Sequence, residues 1–356
     1  MKNNTIRNIL KLTALLLVCC MLPVFATAEQ AAEEADDSNW VSFLLICNEG
    51  MSNAKGNAGN TLCVAAMEPE QGLIRLMMFT WDTFIDYEGY DVPQKLDMPY
   101  RNNGPEEAIR VFNENFGLNI THYLSLNYLN LASLIDEYGG ITVDITRAER
   151  NAINGMVSSK RVRLQEEVAS GELSQTVIDL LAQEYYLNDF GPNTHLNGLQ
   201  AIGFGWLQYD SVYNCCERDS EVIAGLFHSA SNFISDKIAL YTDDTGEPED
   251  TFGRRAINLD NITEEDYTFI RQLIAPIFQM SENNMTEEEI RTITLSLAKI
   301  AYRAQREGAD ILDLMRSTIL PLEATKPYDI VAGTKGHLVD KEANAQAVKE
   351  FMYNDD

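Results

Sequence analysis

Short apolar runs alternate with helical patterns in the first half of the chain, and this alternation constrains the fold more than any other feature. Val41 to Cys47, Thr61 to Met67 and Leu73 to Phe79 each have the length and composition of a buried strand. The segment from Gly104 to Gly117 instead has apolar residues at helical spacing, with a proline and two acids in its first turn. Strands interleaved with helices indicate an α/β layered fold.

The alternation continues as far as residue 145. Tyr123 to Tyr128 alternates like a strand, Leu129 to Tyr138 is helical and stopped by Gly139-Gly140, and Ile141 to Ile145 is a further strand. We therefore predict a three-layer α-β-α domain with a mixed central sheet and a helical C-terminal portion. The apolar face of the Gly104–Gly117 helix is either plain core or the wall of a lipid tunnel; it comprises Ala108, Val111, Phe112 and Phe116.

The second half of the chain is mainly helical in pattern. Arg147 to Asp189 is predicted to be helical, and Thr263 and Thr286, each followed by acids, are N-cap signals for two more helices. Tyr328 to Ala332 is predicted to return to the sheet as a late strand, and Lys341 to Tyr353 to form the last helix. The predicted organisation is a signal peptide at 1–28, an acidic leader at 29–39, a core at 40–235 and a helical C-terminal portion at 236–356 that completes the domain.

The first 28 residues have the three parts of a secretory signal peptide. Lys2, Arg7 and Lys11 form a positive n-region, Leu12 to Phe25 is an apolar stretch, and Ala26-Thr27-Ala28 is a small-residue cleavage site. The apolar stretch is shorter than the roughly 20 residues that span a bilayer as a helix. We expect an exported protein, either secreted after cleavage or anchored to the membrane by an uncleaved N-terminus.

The charge of the chain excludes one large class of partners. It has 27 Lys and Arg against 54 Asp and Glu, a formal net charge of −27, and cleavage of the signal peptide would make it three charges more negative. Binding to nucleic acid or to an anionic membrane surface requires clustered basic residues. We therefore expect no nucleic-acid partner, and any polyanionic ligand must be held by a local positive pocket.

The cysteines and histidines do not have the spacing of a metal site. Beyond the signal peptide there are four cysteines without a CxxC pair, and the four histidines are scattered, so zinc-ligand spacing is absent. Cys47 and Cys63 lie on neighbouring predicted strands, which leaves a disulfide and two buried free thiols as alternatives. Cys215 and Cys216 are adjacent, and a bridge between them would be strained.

Local motifs alone do not identify a reaction. The sequence has no G-x-S-x-G elbow, no G-x-x-x-x-G-K phosphate loop and no H-E-x-x-H. Ser158-Ser159-Lys160 lacks the spacing of a serine–lysine nucleophile pair, and we predict a polar surface turn there.

The order of several weak fragments is more specific. Gly59-Asn60-Thr61, Trp81-Asp82-Thr83, the Gly104–Gly117 helix, Gly139-Gly140-Ile141-Thr142-Val143-Asp144 and Leu196-Asn197-Gly198-Leu199-Gln200-Ala201 follow one another along the chain. This series resembles the LytR-CpsA-Psr family of bacterial cell-envelope proteins, and the last two fragments carry most of the resemblance. It covers roughly Trp40 to Tyr353.

The resemblance implies a function at the outer face of the cell envelope. Members of that family transfer a glycopolymer from a polyprenyl-pyrophosphate carrier to peptidoglycan, so both are implied partners, with membrane contact through bound lipid or an uncleaved signal peptide. Pyrophosphate binding calls for arginines that grip its oxygens and for a divalent ion such as Mg²⁺ held by carboxylates. An apolar tunnel takes the prenyl chain.

The site residues that the resemblance implies are only partly present. The two ion-binding acids fall on Glu49 and on Asn60, which carries no charge, while Asp82 and Lys95 are retained. Five arginines of the family fall on Trp81, Trp206, Gln208, Cys215 and Arg218. Only Arg218 is still an arginine. Arg101 lies near in sequence and is a candidate replacement cation.

Two functional hypotheses follow from these substitutions. The first is an active phosphotransferase in which Asp82 and Arg218 are catalytic. Its phosphate-binding residues are Lys95, Arg101 and Arg218. Its metal-binding residues are Glu49, Asp82 and Asn60. The second is a non-catalytic protein that binds polyprenyl lipid or glycopolymer. Trp81 and Trp206 either contact the ligand or fill the space that the arginines vacated. Lys95 and Arg218 either bind phosphate or form ion pairs. Asp82 either serves the site or caps a turn.

Overall fold

The computed structural model describes residues 40–50, 59–170, 175–239, 257, 259, 261–322, 329–331 and 333–353. The predicted signal peptide and acidic leader lie outside these residues. By contacts the chain divides into Met1–Trp40 and Val41–Asp356, and every element below belongs to the second unit. No helix in the described part of the chain combines the length and the apolar character needed to cross a membrane.

The described strands and helices follow the predicted alternation closely. The strands are β1 (Val41–Asn48), β2 (Gly59–Glu68), β3 (Leu73–Phe79), β4 (Thr83–Ile85), β5 (Gln94–Lys95), β6 (His122–Asn127), β7 (Ile141–Ile145), β8 (Gly191–Leu196), β9 (Glu282–Asn283), β10 (Met315–Leu320), β11 (Asp329–Val331) and β12 (Thr334–Leu338). The helices are α1 (Met98–Asn103), α2 (Pro105–Phe116), α3 (Tyr128–Glu137), α4 (Arg147–Ser170), α5 (Gln175–Ala182), α6 (Gly198–Gly205), α7 (Val212–Ala239), α8 (Glu264–Met280), α9 (Glu287–Glu307) and α10 (Lys341–Tyr353).

A mixed sheet forms the centre of the fold, which confirms the predicted fold class. Its strand order among the described residues is β10-β3-β2-β1-β6-β9. The pairs β1–β2 and β2–β3 are antiparallel, whereas β1–β6 and β3–β10 are parallel. Both ends of the sheet therefore come from the second half of the chain, and its interior strands come from the first.

Helices cover both faces of this sheet, giving three layers. On one face Ile74, Leu76 and Met78 pack with apolar residues of α7, α8 and α9. On the other face the alternating residue Phe79 contacts α2, where the rings of Phe112 and Phe116 each have centroids 4.7 Å from its own. The apolar face of α2 is therefore plain core rather than a tunnel wall.

A second apolar cluster joins α3, α4, α6 and the antiparallel pair β7–β8. The two fragments that carry most of the family resemblance meet in this cluster. Gly140 has φ +84°, a left-handed conformation, and a side chain there would meet the Leu196 carbonyl oxygen at 2.6 Å. The Gly-Gly fragment thus ends α3 and lets β7 pair with β8.

The Leu-Asn-Gly-x-Gln-Ala fragment builds the beginning of α6. The side chain of Asn197 accepts a hydrogen bond from the Gln200 backbone N–H, and the Gln200 side chain accepts one from Asn197 in return. Gly198 approaches α3 so closely that an added Cβ would lie 1.9 Å from the Ala132 carbonyl oxygen. Both fragments therefore have structural roles in the scaffold.

One detail of the predicted topology is wrong. The segment near Tyr328 contains β11, but this strand belongs to a small separate sheet, β11-β12-β4-β5, and the late strand of the central sheet is β10 instead. The predicted strand Ile141–Ile145 is confirmed with its bounds, and among the described strands it pairs with β8. Strand pairing depends on the partner that packing brings near, and local composition does not encode that partner.

The four cysteines beyond the signal peptide are free and buried. In the β1–β2 register Cys47 lies opposite Thr61, while Cys63 lies opposite Leu45. The two thiols are therefore offset along the ladder, and the free-thiol alternative is the one observed. Burial raises the pKa of all four thiols, so they are protonated and unreactive at neutral pH.

Candidate functional site

A polar cavity of about 180 Å³ lies where β5, α1, α6 and α7 approach the start of β2. Its lining includes most of the positions singled out from the sequence, namely Trp81, Lys95, Arg101, Trp206, Gln208 and Cys215. Gly59, Asp97 and Asp219 complete it. Residues as far apart in sequence as Gly59 and Asp219, a separation of 160 positions (219 − 59), therefore converge on one site.

Three of the predicted site residues are placed differently. Asp82 is fully buried in the turn after β3 and does not line the cavity; both its carboxylate oxygens lack a hydrogen-bond partner among the described residues. Glu49 is exposed just beyond β1, close enough to raise the pKa of Asp97 by charge repulsion. Asn60 lies in β2 with its side chain outside the described part, so its proposed role as a metal ligand stays a prediction.

Arg218 also lies outside the cavity lining. Its guanidinium group donates to both carboxylate oxygens of Asp210 at 2.8 Å and to the Leu207 carbonyl oxygen at 2.6 Å. The side chain is only 5% exposed. This bidentate pair holds the loop after α6 against α7 and engages both terminal nitrogens of the guanidinium group, while the buried Nε has no hydrogen-bond partner among the described residues. The ion-pair alternative describes this geometry, and a catalytic or phosphate-binding role for Arg218 stays a prediction.

Each tryptophan that stands at an arginine position of the family has a lysine over its ring. The ammonium nitrogen of Lys95 lies 4.9 Å from the Trp81 ring centroid. That of Lys160 lies 4.4 Å from Trp206 and 4.2 Å from Tyr128. These distances are in the range of cation–π attraction. Lys160 is within α4, so the predicted surface turn at Ser158-Ser159-Lys160 is wrong.

Asp219 forms a buried polar chain with the residues around it. The Trp206 ring N–H donates to the Thr61 hydroxyl at 3.3 Å, and that hydroxyl donates to the Asp219 carboxyl at 2.9 Å. Burial raises the pKa of Asp219 to about 8, although the hydrogen bond from Thr61 and the charge of Arg218 oppose the shift. Asp219 is therefore mostly protonated at neutral pH, and the cavity has one negative charge fewer than its sequence suggests.

The charge of the cavity is consequently positive on balance. Burial also raises the pKa of Asp97, against the opposing charges of Arg101 and Lys95. Arg101 and Asp97 lie 3.9 Å apart, too far for a tight hydrogen-bonded pair, and the Arg101 side chain is 42% exposed. Lys95 and Arg101 are thus available to an anionic ligand in a protein whose overall field repels one.

An apolar cavity of about 110 Å³ lies directly behind the polar one. Side chains of β1, β6, α3, α7, α8 and α9 line it, among them Phe43, Leu126 and Ile234. Thr61 lines this cavity too, and it hydrogen-bonds to Asp219 and Trp206 of the polar cavity. The hydroxyl of Thr61 therefore links the lining of the apolar cavity to that of the polar one.

Comparison with known proteins identifies the family of the chain. A model of the LytR_cpsA_psr family matches residues 26–238, which include every residue lining the polar cavity. The chain belongs to the LytR_cpsA_psr family. Sequence reasoning within this family missed Asp97, Asp219 and Lys160, because no fragment of the family pattern falls on them and only the packing of α1, α4 and α7 brings them to the site.

Relatives of this LytR_cpsA_psr chain are distant in sequence. It is 29% identical over 85 residues to the polyisoprenyl-teichoic acid–peptidoglycan teichoic acid transferase TagU of Enterococcus faecalis, a match that spans 24% of this chain and 28% of that protein. The crystal structure of TagV from B. subtilis is 13% identical with a TM-score of 0.55, covering 88% of this chain and 96% of that one. A structure of TagT bound to LI-WTA is 11% identical with a TM-score of 0.54, covering 88% and 89%. These structures share the fold.

The carboxyl groups around the cavity fit a divalent metal site poorly. No group of three or more His, Cys, Asp or Glu that could hold an ion occurs in the part of the chain the structure describes. Asp82 does not line the cavity, and the raised pKa of Asp219 keeps a proton on it at neutral pH. Mg²⁺ is held in proteins by ionised carboxylates together with substrate phosphates. The function proposed below therefore includes no step through a metal.

Proposed function

We propose that this protein binds a polyprenyl-linked phosphate or pyrophosphate at the cell envelope, with much weaker glycopolymer transfer to peptidoglycan than the family pattern implies. The observation that carries the proposal is that Thr61, which lines the apolar cavity, hydrogen-bonds to two residues that line the positively charged polar cavity. A lipid-linked phosphate has the same two parts, an apolar chain and an anionic head group. The family membership and the name of the TagU relative support the same ligand class.

In this proposal the head group binds between Lys95 and Arg101, and the first isoprene units enter between β1 and α7. The apolar cavity of about 110 Å³ is smaller than the roughly 150 Å³ that holds one benzene molecule. A longer chain therefore requires α7, α8 and α9 to move away from the sheet. Apolar burial supplies the free energy for this movement, at about 0.8 kcal/mol per buried methylene group.

Filling the apolar cavity should abolish most lipid binding. Ala230 of α7 lines the cavity, and Ala230→Phe would occupy the volume that the prenyl chain needs. We expect at least a tenfold weaker affinity for farnesyl pyrophosphate than in the wild type. Two of the three tryptophans line the polar cavity, so quenching of tryptophan fluorescence measures binding directly. Asn232→Phe, on an exposed position of the same helix, is the matched control and should bind as the wild type does. Equal affinity for both variants would refute chain binding in this cavity.

The weakened transfer activity has its own test. Four arginine positions are occupied by uncharged residues, and each charge-assisted hydrogen bond is worth roughly 1.5–3 kcal/mol. Cleavage of the pyrophosphate bond leaves farnesyl phosphate, whether the terminal phosphoryl group passes to a peptidoglycan hydroxyl or to water. We expect wild-type protein, given farnesyl pyrophosphate, peptidoglycan and Mg²⁺, to form farnesyl phosphate at close to the rate of a heat-denatured sample. The double variant Trp81→Arg, Gln208→Arg, at two exposed positions, should form it measurably faster. Robust turnover by the wild type would show that the first hypothesis, an active phosphotransferase, is the right one.

A further inference from the structure

The ammonium group of Lys160 lies on two aromatic rings at the edge of the site. Its nitrogen is 4.2 Å from the Tyr128 ring centroid and 4.4 Å from the Trp206 centroid. Those two rings are tilted by 56° with centroids 5.8 Å apart, so they form a concave seat for one cation. Lys160 comes from α4, whereas Tyr128 is the first residue of α3 and Trp206 directly follows the last residue of α6.

Within the described residues this ammonium has no hydrogen-bond acceptor and no ion-pair partner, since neither kind of contact involves Lys160. An ammonium group has three N–H donors. The faces of the aromatic rings attract its positive charge, but they leave these donors without hydrogen-bond acceptors. Burial lowers the pKa of Lys160 to about 8, with Glu49 and Cys47 acting in the opposite direction. A half-buried cation with unpaired donors is stabilised by an anion.

Lys160 lines neither cavity itself, but its ammonium group lies on the ring of a residue that lines the polar one. Trp206, under its ammonium group, lines the polar cavity, and Cys47, whose thiol feels the charge of Lys160, lines the apolar one. The phosphate of a lipid-linked ligand would come to rest between these cavities, because its chain lies on one side and its remaining head group on the other.

We propose that Lys160 is a phosphate-binding residue of this site, with its ammonium group presented to the ligand across Tyr128 and Trp206. The proposal rests on the proposed function and deepens it. It also gives the exchange at position 206 a physical meaning. The family pattern has an arginine at position 206. In this chain Lys160 of α4 supplies the cation instead, and Trp206 orients its ammonium group. The Lys95–Trp81 pair repeats the arrangement on the opposite wall.

The test compares three ligands by isothermal titration calorimetry, because fluorescence of Trp206 would itself change with the variants. The ligands are farnesyl pyrophosphate, inorganic pyrophosphate and farnesol, which has the chain but no phosphate. Lys160→Met keeps the aliphatic stem and removes the charge, and Lys160→Arg keeps the charge. Lys237→Met is the matched control, because Lys237 lies 5.6 Å over the ring of Phe233, which lines neither cavity, whereas the Trp206 ring under Lys160 lines the polar one.

For Lys160→Met we expect at least a tenfold loss of affinity for farnesyl pyrophosphate and a similar loss for inorganic pyrophosphate, with farnesol binding unchanged. Lys160→Arg and Lys237→Met should stay within about threefold of the wild type, since the first retains a charged donor and the second is remote. The near-ultraviolet circular dichroism of all variants checks that they are folded.

The outcomes separate this inference from the function on which it rests. Wild-type protein that binds farnesyl pyrophosphate, with Lys160→Met binding it equally well, overturns the role of Lys160 and leaves the proposed function standing. An equal loss of farnesol binding also overturns it, because the lysine would then act through packing. Wild-type protein that binds neither farnesyl pyrophosphate nor farnesol overturns the proposed function and this inference together.

Discussion

Replacing Asp219 with asparagine is expected to stabilise the protein strongly at pH 8 and to leave its stability at pH 4 almost unchanged. In the folded protein burial raises the pKa of Asp219 to about 8, whereas in an unfolded chain it is roughly 3.9. Between these values the folded state binds the proton and the unfolded state does not. Wild-type stability therefore falls as the pH rises from about 4 to about 8. Asparagine does not titrate, so the variant should gain up to about 5 kcal/mol above pH 8.

Urea unfolding at several pH values would measure this difference. Asp210 gives a control of opposite sign, because the Arg218 guanidinium lowers the pKa of Asp210. Its contribution to stability is present above the unfolded pKa and is lost as the pH falls, so Asp210→Asn should be less stable than the wild type at pH 8 and should approach it in acid. Parallel pH profiles for Asp219→Asn and the wild type would mean that the carboxyl of Asp219 is ionised in the folded protein.

The second large effect is expected at Gly198. Its added Cβ would lie 1.9 Å from the carbonyl oxygen of Ala132 and 2.5 Å from the carbonyl carbon, both of which are backbone atoms. The Gly198 N–H also donates to the Asp136 carboxylate at 2.6 Å, so α6 cannot move away without losing that bond. Gly198→Ala should therefore lose about 3 kcal/mol or more of unfolding free energy, the upper end of the range for over-packing.

Differential scanning calorimetry would show this loss as a melting temperature lower by several degrees. Gly155→Ala is the matched control, since Gly155 is inside α4 and an added Cβ there meets nothing within 4 Å. That variant should be more stable by about 0.5–1 kcal/mol, because alanine loses less backbone entropy in a helix. If Gly198→Ala melts at the wild-type temperature, the close approach of α3 and α6 does not constrain the fold.

The elements that the sequence predicts well are those with purely local signals. Leu73–Phe79 and Ile141–Ile145 have their predicted bounds, and Thr263 and Thr286 each form the predicted capping box. Pairing partners were not predictable in this way. The strand that completes the sheet beside β3 is β10, whose sequence Met-Arg-Ser-Thr-Ile-Leu has half-buried residues and no continuous apolar run. The position of β10 in the sheet depends on the one backbone edge of β3 that stays unpaired after β2 has paired with the other.

Most of the site residues that the sequence singled out come from positions of the family pattern. Trp81, Lys95 and Cys215 were singled out in that way and do line one cavity, and so does Arg101, which was a candidate because it lies near in sequence. Burial strongly shifts the pKa values of Lys160 and Asp219, yet neither residue stands out in the sequence, because distant elements cause that burial. Arg218 shows the converse, since its position matches the pattern while both terminal nitrogens of its guanidinium group donate to Asp210.

The origin of the sheet edges has a consequence for synthesis of the chain. The four interior strands end at Asn127, whereas β9 begins at Glu282 and β10 at Met315. At about 5–20 residues per second the ribosome needs on the order of 10–30 s to add the intervening residues. Throughout that interval β3 and β6 have open backbone edges, on which a second nascent chain could pair. The position of β10 in the gene therefore determines how long each new molecule is exposed to edge-to-edge aggregation.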